Sequence, residues 1–243
     1  MRLNKYLARS GVAARRKADE LIASGRVRVN DQLVTALGVE VGEDDLVEVD
    51  GRPVEPQPEQ VVYLLHKPAG VLSSVTDPQG RGTVVELIRD HQRLFPIGRL
   101  DRDTTGALLI TNDGELANLL THPRYGVEKR YLAEVKGRLN SRAIARLVAG
   151  IVIAGGIKVR AQVQEMARHG QRTSYRLTLT EGKNREIKRI FRYYGLPLVR
   201  LHRTSFAGLS ADDLPPGKYR RLRQVEMNNL YRLAAPQYDS QTT

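Results

Sequence analysis

Leu3, Tyr6 and Leu7 recur at the spacing of one helical face, and Gly11 follows where such a helix can stop. Ala18, Leu21 and Ile22 repeat that spacing, with Gly25 as the next stop. Val27 and Val29 then alternate with Arg26 and Arg28, so the period changes to that of a strand, and Asn30-Asp31 reads as a turn. Further along, Val61–Leu65 is a buried-strand candidate. Ile157, Val159, Ala161 and Val163 alternate with polar neighbours, as do Tyr175, Leu177 and Leu179, predicting two half-buried strands of an antiparallel or mixed sheet. Helices are predicted over 114–120 (Leu116, Leu119, Leu120) and 141–149, with Ser141 as N-cap for a face of Ile144, Leu147 and Val148. The pattern as a whole predicts an α+β protein, with a small αβ module ahead of a larger mixed domain.

Punctuation sets the expected boundaries. The run Arg52–Gln60 holds three prolines, which disfavour helix and stiffen the chain, so 53–60 reads as a linker between a module at 1–52 and a domain at 61–232. Residues 233–243 read as a tail.

Charge changes the picture next. The 243 residues carry 39 Lys+Arg against 27 Asp+Glu, a net +12, which points to a polyanionic partner. Residues 1–30 hold eight basic side chains (Arg2, Lys5, Arg9, Arg15, Arg16, Lys17, Arg26, Arg28) against Asp19 and Glu20, whereas 31–60 hold nine acidic ones against Arg52. A basic half followed by an acidic half predicts a module with one face for phosphates. With no cysteine, disulfides, thiolate ligands and cysteine nucleophiles are excluded. The apolar runs are far shorter than a membrane span and the N-terminus lacks a secretory pattern, so a soluble, cytoplasmic protein is expected.

Nucleotide and metal signatures fail. Gly80-Arg81-Gly82 and Gly182-Lys183-Asn184 lack the remaining residues of dinucleotide and phosphate-loop motifs, and the five histidines are scattered. Two segments carry unusual chemistry. Residues 96–114 place Arg99, Asp101, Arg102 and Asp103 between Gly98 and Gly106 ahead of an apolar strand; this is either a charged turn capping its own backbone or a reactive loop. From Gly182, Arg185, Lys188, Arg189 and Arg192 recur at i, i+3, i+4 and i+7, and Ile187, Ile190, Phe191 and Tyr194 do the same. The two sets lie about 200° apart on a helical wheel, so one face packs while the other presents cations to a polyanion. Only Glu186 interrupts the basic run.

Gly98-Arg99-Leu100-Asp101-x-Asp103-Thr104-Thr105-Gly106 with Leu108-Leu109-x-Thr111-Asn112-Asp113-Gly114 resembles the signature loop of the ribosomal pseudouridine synthases. Glu128-Lys129-Arg130-Tyr131-Leu132 is similar to that family's K-x-Y motif, and residues 181–189 to its third motif. The block Arg2–Ala8 with Gly25–Asn30 resembles the S4 RNA-binding module that one subgroup carries ahead of its catalytic domain. Residues 111–118 and Asn184-Arg185-Glu186-Ile187 resemble the B-type, large-subunit branch more than the small-subunit branch.

The resemblance implies an isomerase that converts uridine to pseudouridine in ribosomal RNA, in 23S rather than 16S, as a monomer and without cofactor, metal or nucleotide. The alternatives are a 16S enzyme or a non-catalytic S4-type assembly factor. It implies Asp101 as the catalytic carboxylate, Lys188 as its cationic partner and Tyr131 as the ring that stacks on a flipped uracil. Arg99 would enter the RNA stack or hold a neighbouring phosphate, which a strand-like run would allow by placing residues 99 and 101 on one face. Arg185, Arg189 and Arg192 would hold RNA on the basic helix, Ile187 would pack behind Lys188, and the eight cations of residues 1–30 would hold RNA on the module.

Overall fold

The computed structural model describes residues 1–56 and 59–234, which fall into two compact units. The first comprises Met1–Val61 with the short segments Asp90–Arg93 and Asn112–Gly114. Its elements are α1 (Leu3–Arg9), α2 (Arg15–Ala23), β1 (Val27–Val29), β2 (Gln32–Val34), β3 (Val47–Val49) and β4 (Arg52–Pro53), the strands pairing antiparallel in the order β2-β1-β3-β4. Leu3, Tyr6 and Leu7 of α1 and Ala18, Leu21 and Ile22 of α2 are buried against Val27, Val47 and Val49. Asn30 and Asp31 both adopt left-handed backbone (φ 49° and 63°), which makes the two-residue turn between β1 and β2 follow the strands' own twist.

The proline-rich stretch begins inside this sheet. Pro53 pairs with Glu48 in an edge strand, the Val54 N–H donates to the Val47 carbonyl, and Val54 packs on the core. Residues 57 and 58 of the expected linker lie outside the described residues.

The chain continues through β5 (Val62–Lys67), β6 (Phe95–Ile97), β7 (Thr105–Thr111), α3 (Gly114–Thr121), β8 (Lys129–Lys136), α4 (Ser141–Ala149), β9 (Ile151–Ile153), β10 (Ile157–Val159), β11 (Gln162–His169), β12 (Arg172–Leu179), α5 (Glu186–Tyr193), β13 (Leu198–Phe206), β14 (Leu209–Ser210), β15 (Tyr219–Arg221) and α6 (Gln224–Ala234). The main sheet runs β11-β12-β8-β13-β7-β5-β15, with β6 beside β7 and β14 beside β13; it is antiparallel except for β13 and β7. All six residues of β5 are buried. Leu116 and Leu120 of α3 and Met227 and Leu230 of α6 cover Val62, Leu64, Ala107 and Leu109 on one face of it. Among the described residues no helix is long and apolar enough to cross a membrane.

The parallel pair dictates one residue. Gly106 faces Arg203 with φ +109°, and a Cβ there would sit inside the van der Waals envelope of the Arg203 carbonyl.

Several local expectations differ from the structure. The alternating run 157–163 is two strands in two sheets, because the Ala161 N–H turns to the Leu147 carbonyl and Arg160 Nε to that of Val148. The cap of α4 is Asn140, whose Oδ1 accepts the Ala143 N–H; Ser141 is the first helical residue. The helix then buries Ala143 and Leu147, with Ile144 half-buried and Val148 41 % exposed. Residues 98–104 are a loop, not a strand, closed by the Thr104 N–H on the Asp101 carbonyl. Helix α6 continues through Ala234, past the expected start of the tail at 233, and residues 235–243 lie outside the described residues.

Candidate active site

The loop 98–104 is held from beneath. Lys67 is fully buried and its Nζ donates to the carbonyls of Pro68, Arg102 and Thr104 at 2.9, 3.2 and 3.0 Å. Burial lowers its pKa to about 8, with Asp103 and Asp101 pulling the other way. Ser73 Oγ accepts the Leu100 N–H and donates to the Leu100 carbonyl, while the Gly70 N–H meets the Arg102 carbonyl. These bonds fix the backbone on either side of Asp101 before any ligand arrives.

Helix α5 brings the second part. Ile187, Ile190 and Phe191 face inward, Phe191 lying 5.9 Å from the ring of Tyr175 on β12. Lys188 therefore faces the loop, with its Nζ 2.8 Å from Asp101 Oδ2 and 2.6 Å from Asp103 Oδ1. Burial disfavours the ammonium, but the two carboxylates outweigh it and raise the Lys188 pKa; likewise Lys188 overcomes the burial of Asp103 and lowers its pKa. Arg185, the N-cap of α5, stands in left-handed backbone with Nε 3.9 Å from Asp101 Oδ2.

Strand β8 supplies a third part. Its alternation buries Lys129, Tyr131, Ala133 and Val135 on one side, so Lys129 and Tyr131 line the same cleft as Asp101, Arg99, Ile187 and Lys188. From β13 come Arg203 and Phe206. A bulge between Arg203 and Ser205 puts both on the inner side, with the guanidinium carbon 4.7 Å from the Phe206 ring centre.

The structure thus brings together six of the residues singled out in the sequence: Asp101, Tyr131, Lys188, Arg99, Arg185 and Ile187. Arg189 and Arg192 flank a shallower recess on the outer face of α5 with Arg185 and Lys188. In the first unit Arg2, Arg9, Arg15, Arg16 and Arg28 are exposed and Lys5 is half-buried. Arg26 grips Asp50 through Nε and Nη2 at 2.8 and 2.5 Å, and Lys17 pairs with Glu20 at 2.6 Å, so these two present less charge than the sequence count implies.

Sequence reasoning gave no role to Lys129 or Arg203, and it placed Glu186 on the basic surface. Glu186 is in fact 4 % exposed and lines the cleft, with Oε2 accepting the Lys183 N–H at 3.1 Å. Burial pushes its pKa up to about 7 despite that bond, and the neighbouring Glu181 carboxylate adds to the rise. The available signal was register: Lys129 shares its strand face with Tyr131, and Glu186 immediately precedes the packing residue Ile187.

A carboxylate on a braced loop, a cation on that carboxylate and a tyrosine in one cleft can hold a base and act on the bond joining it to a sugar. Comparison with known proteins gives the family. The family described as RNA pseudouridylate synthase matches residues 61–193, and the S4 domain matches residues 1–47. The chain is 42% identical over 236 residues to the Ribosomal large subunit pseudouridine synthase B of Bacillus subtilis (strain 168), covering 96% of each. It is 41% identical over 241 residues to a protein of Aquifex aeolicus (strain VF5) named an RNA pseudouridine synthase, covering 98% of this chain and 96% of that one. A crystal structure of a pseudouridylate synthase superposes with a TM-score of 0.68 at 28% identity, covering 95% of this chain and 99% of the other.

Proposed function

Since the chain belongs to the RNA pseudouridylate synthase family and carries an S4 domain ahead of the catalytic one, we propose that it isomerises uridine in 23S ribosomal RNA, with Asp101 as the catalytic carboxylate. Asp101 faces the sugar carbon C1′ as its bond to uracil N1 breaks, Lys188 holds that carboxylate in place, and Tyr131 stacks on the flipped base. The observation that carries this reading is the 2.8 Å contact of Lys188 Nζ with Asp101 Oδ2 in a cleft that also holds Tyr131. The likeness along nearly the whole chain to a large-subunit synthase supports 23S over 16S.

Extrusion of the uracil costs a few kcal/mol of stacking. The exposed cations on α5 and in the S4 domain offset that cost through phosphates, which fix register without reading bases.

Mapping pseudouridine in 23S and 16S rRNA from cells with and without the protein tests the reading. The expected result is loss of a 23S site, restored by wild type and not by Asp101→Asn. In vitro, Asp101→Asn should slow isomerisation by roughly 10³-fold or more while RNA affinity stays within about threefold. An unchanged rRNA profile, or an active Asn variant, would overturn it.

A further inference from the structure

Lys129 and Arg203 line the cleft and are 8 % and 2 % exposed, yet no carboxylate forms an ion pair with either among the described residues. Lys129 Nζ has three protons and, among the described residues, a single hydrogen-bond acceptor, the Val127 carbonyl at 2.8 Å. Its other fixed neighbour is the Phe206 ring, 5.5 Å away. Arg203 Nε is committed to the Ala107 carbonyl at 2.7 Å, while Nη2 is buried without a partner. Packing alone gives no reason for two neighbouring cations in a dry wall, where an apolar side chain would be the more stable filler. Glu186 acts on Lys129 through its field alone, without an ion pair.

Resting on the uridine-isomerase reading above, we propose that Lys129 is a further catalytic residue, whose ammonium receives the negative charge of the uracil ring once it is detached from the sugar. When the N1–C1′ bond breaks, its electron pair leaves with the base and spreads over N1, O2 and O4, while the electron-poor C1′ faces Asp101. The ring turns, C5 bonds to C1′, the proton on C5 departs and one proton arrives at N1, so the product is an isomer of the substrate. Throughout that interval the base is an unattached anion. A cationic wall in the same cleft as Asp101 lowers its energy and keeps it from escaping. Arg203 adds to the positive potential but is held by the backbone.

The charged groups that act on Lys129 are Arg203 from β13 and Glu186 from α5; Tyr131 and Asp101 line the same cleft, with Glu181, Lys183, Arg185, Lys188 and Arg99. Burial, and then Arg203, lower its pKa to about 8, against the pull of Glu186. The ammonium is therefore present at neutral pH and is lost as pH rises through about 8. Lys67 titrates in the same range, so the pH profile must be read in Lys129 variants.

The test is single-turnover isomerisation of rRNA by full-length Lys129→Met and Lys129→Arg, with RNA affinity and melting temperature alongside. Lys129→Met should slow the chemical step by about 10²-fold, with RNA affinity within about threefold and a melting temperature no lower than wild type. Lys129→Arg should stay within about tenfold of wild type and shift the alkaline fall in rate upward, because a guanidinium does not deprotonate there. A Met variant within about twofold of wild type overturns the proposal. So does an Arg variant that folds and binds RNA as wild type does yet is slowed by about 10²-fold, a result that decides the matter even if the Met variant does not fold. If wild type is active and Asp101→Asn is not, such outcomes overturn only the role of Lys129; an inactive wild type would overturn the uridine-isomerase reading itself.

Discussion

The two walls of the cleft hold their cations in opposite states. On the α5 side, Lys188 sits between two carboxylates, and attraction raises its pKa above the usual lysine value. On the β8–β13 side, Lys129 and Arg203 have each other, backbone carbonyls, an aromatic ring and the unbonded pull of Glu186, and burial drives the lysine down to about 8. The same residue type thus serves two ends: one lysine neutralises charge already present, the other waits for charge that the reaction creates. A positive count along the sequence cannot make that distinction; burial and partners do.

Gly106→Ala should have the largest effect, because Gly106 lies where β7 meets β13 and joins the Asp101 loop to the Arg203 wall. The clash with the Arg203 carbonyl and the forced positive φ should cost about 3 to 4 kcal/mol, seen as a lower denaturation midpoint and loss of activity together. If Gly106→Ala is as stable as wild type, the two walls are less rigidly joined than the geometry implies. Lys188→Met comes next. It should lower the single-turnover rate by about 10²-fold with little change in stability, and Lys188→Arg should recover most of the loss. Equal pH profiles for Lys188→Met and Lys129→Met would erase the difference between the walls. The smallest effect belongs to the exposed cations. Arg189→Gln and Arg192→Gln should each weaken RNA binding several-fold and reduce the slope of log affinity against log salt by a little under one, leaving the bound rate unchanged. An unaltered salt slope would show that the outer face of α5 meets no phosphate.

What the sequence disclosed follows the same division. Faces set by helical period were legible, because Leu3, Tyr6 and Leu7 or Ile187, Ile190 and Phe191 need only the 3.6-residue repeat to be assigned inward. Asp101, Tyr131 and Lys188 were legible through motifs. The other wall was hidden for three physical reasons. A lysine in a strand reads as solvent-facing unless its neighbours' register is trusted over its charge. The bulge beside Arg203 breaks the two-residue alternation that would have paired it with Phe206. Glu186 looks like one acid diluting a basic surface, although its position at the start of α5 turns it inward toward the Lys183 N–H. The 157–163 run failed differently: alternation reports which side is buried and says nothing about where a strand leaves one sheet for another.

The parallel pairing of β7 with β13 has a consequence for how the enzyme comes into being. Asp103 and Lys188 lie 85 residues apart in sequence, and the Arg203 side chain bonds a carbonyl 96 residues before it. Neither wall can be completed by local hairpin formation. The long intervening segment must first be drawn into a closed loop, whose entropy opposes folding until the strands meet. The first unit closes shorter loops within residues 1–54, from the β1–β2 hairpin up to the Tyr6 hydroxyl on the Val54 carbonyl, 48 residues on. The Asp101 loop and its Lys188 partner therefore meet only across a loop of some 85 residues, which makes the cleft, more than the sheet of the first unit, the part of the molecule whose assembly depends on distant stretches of chain.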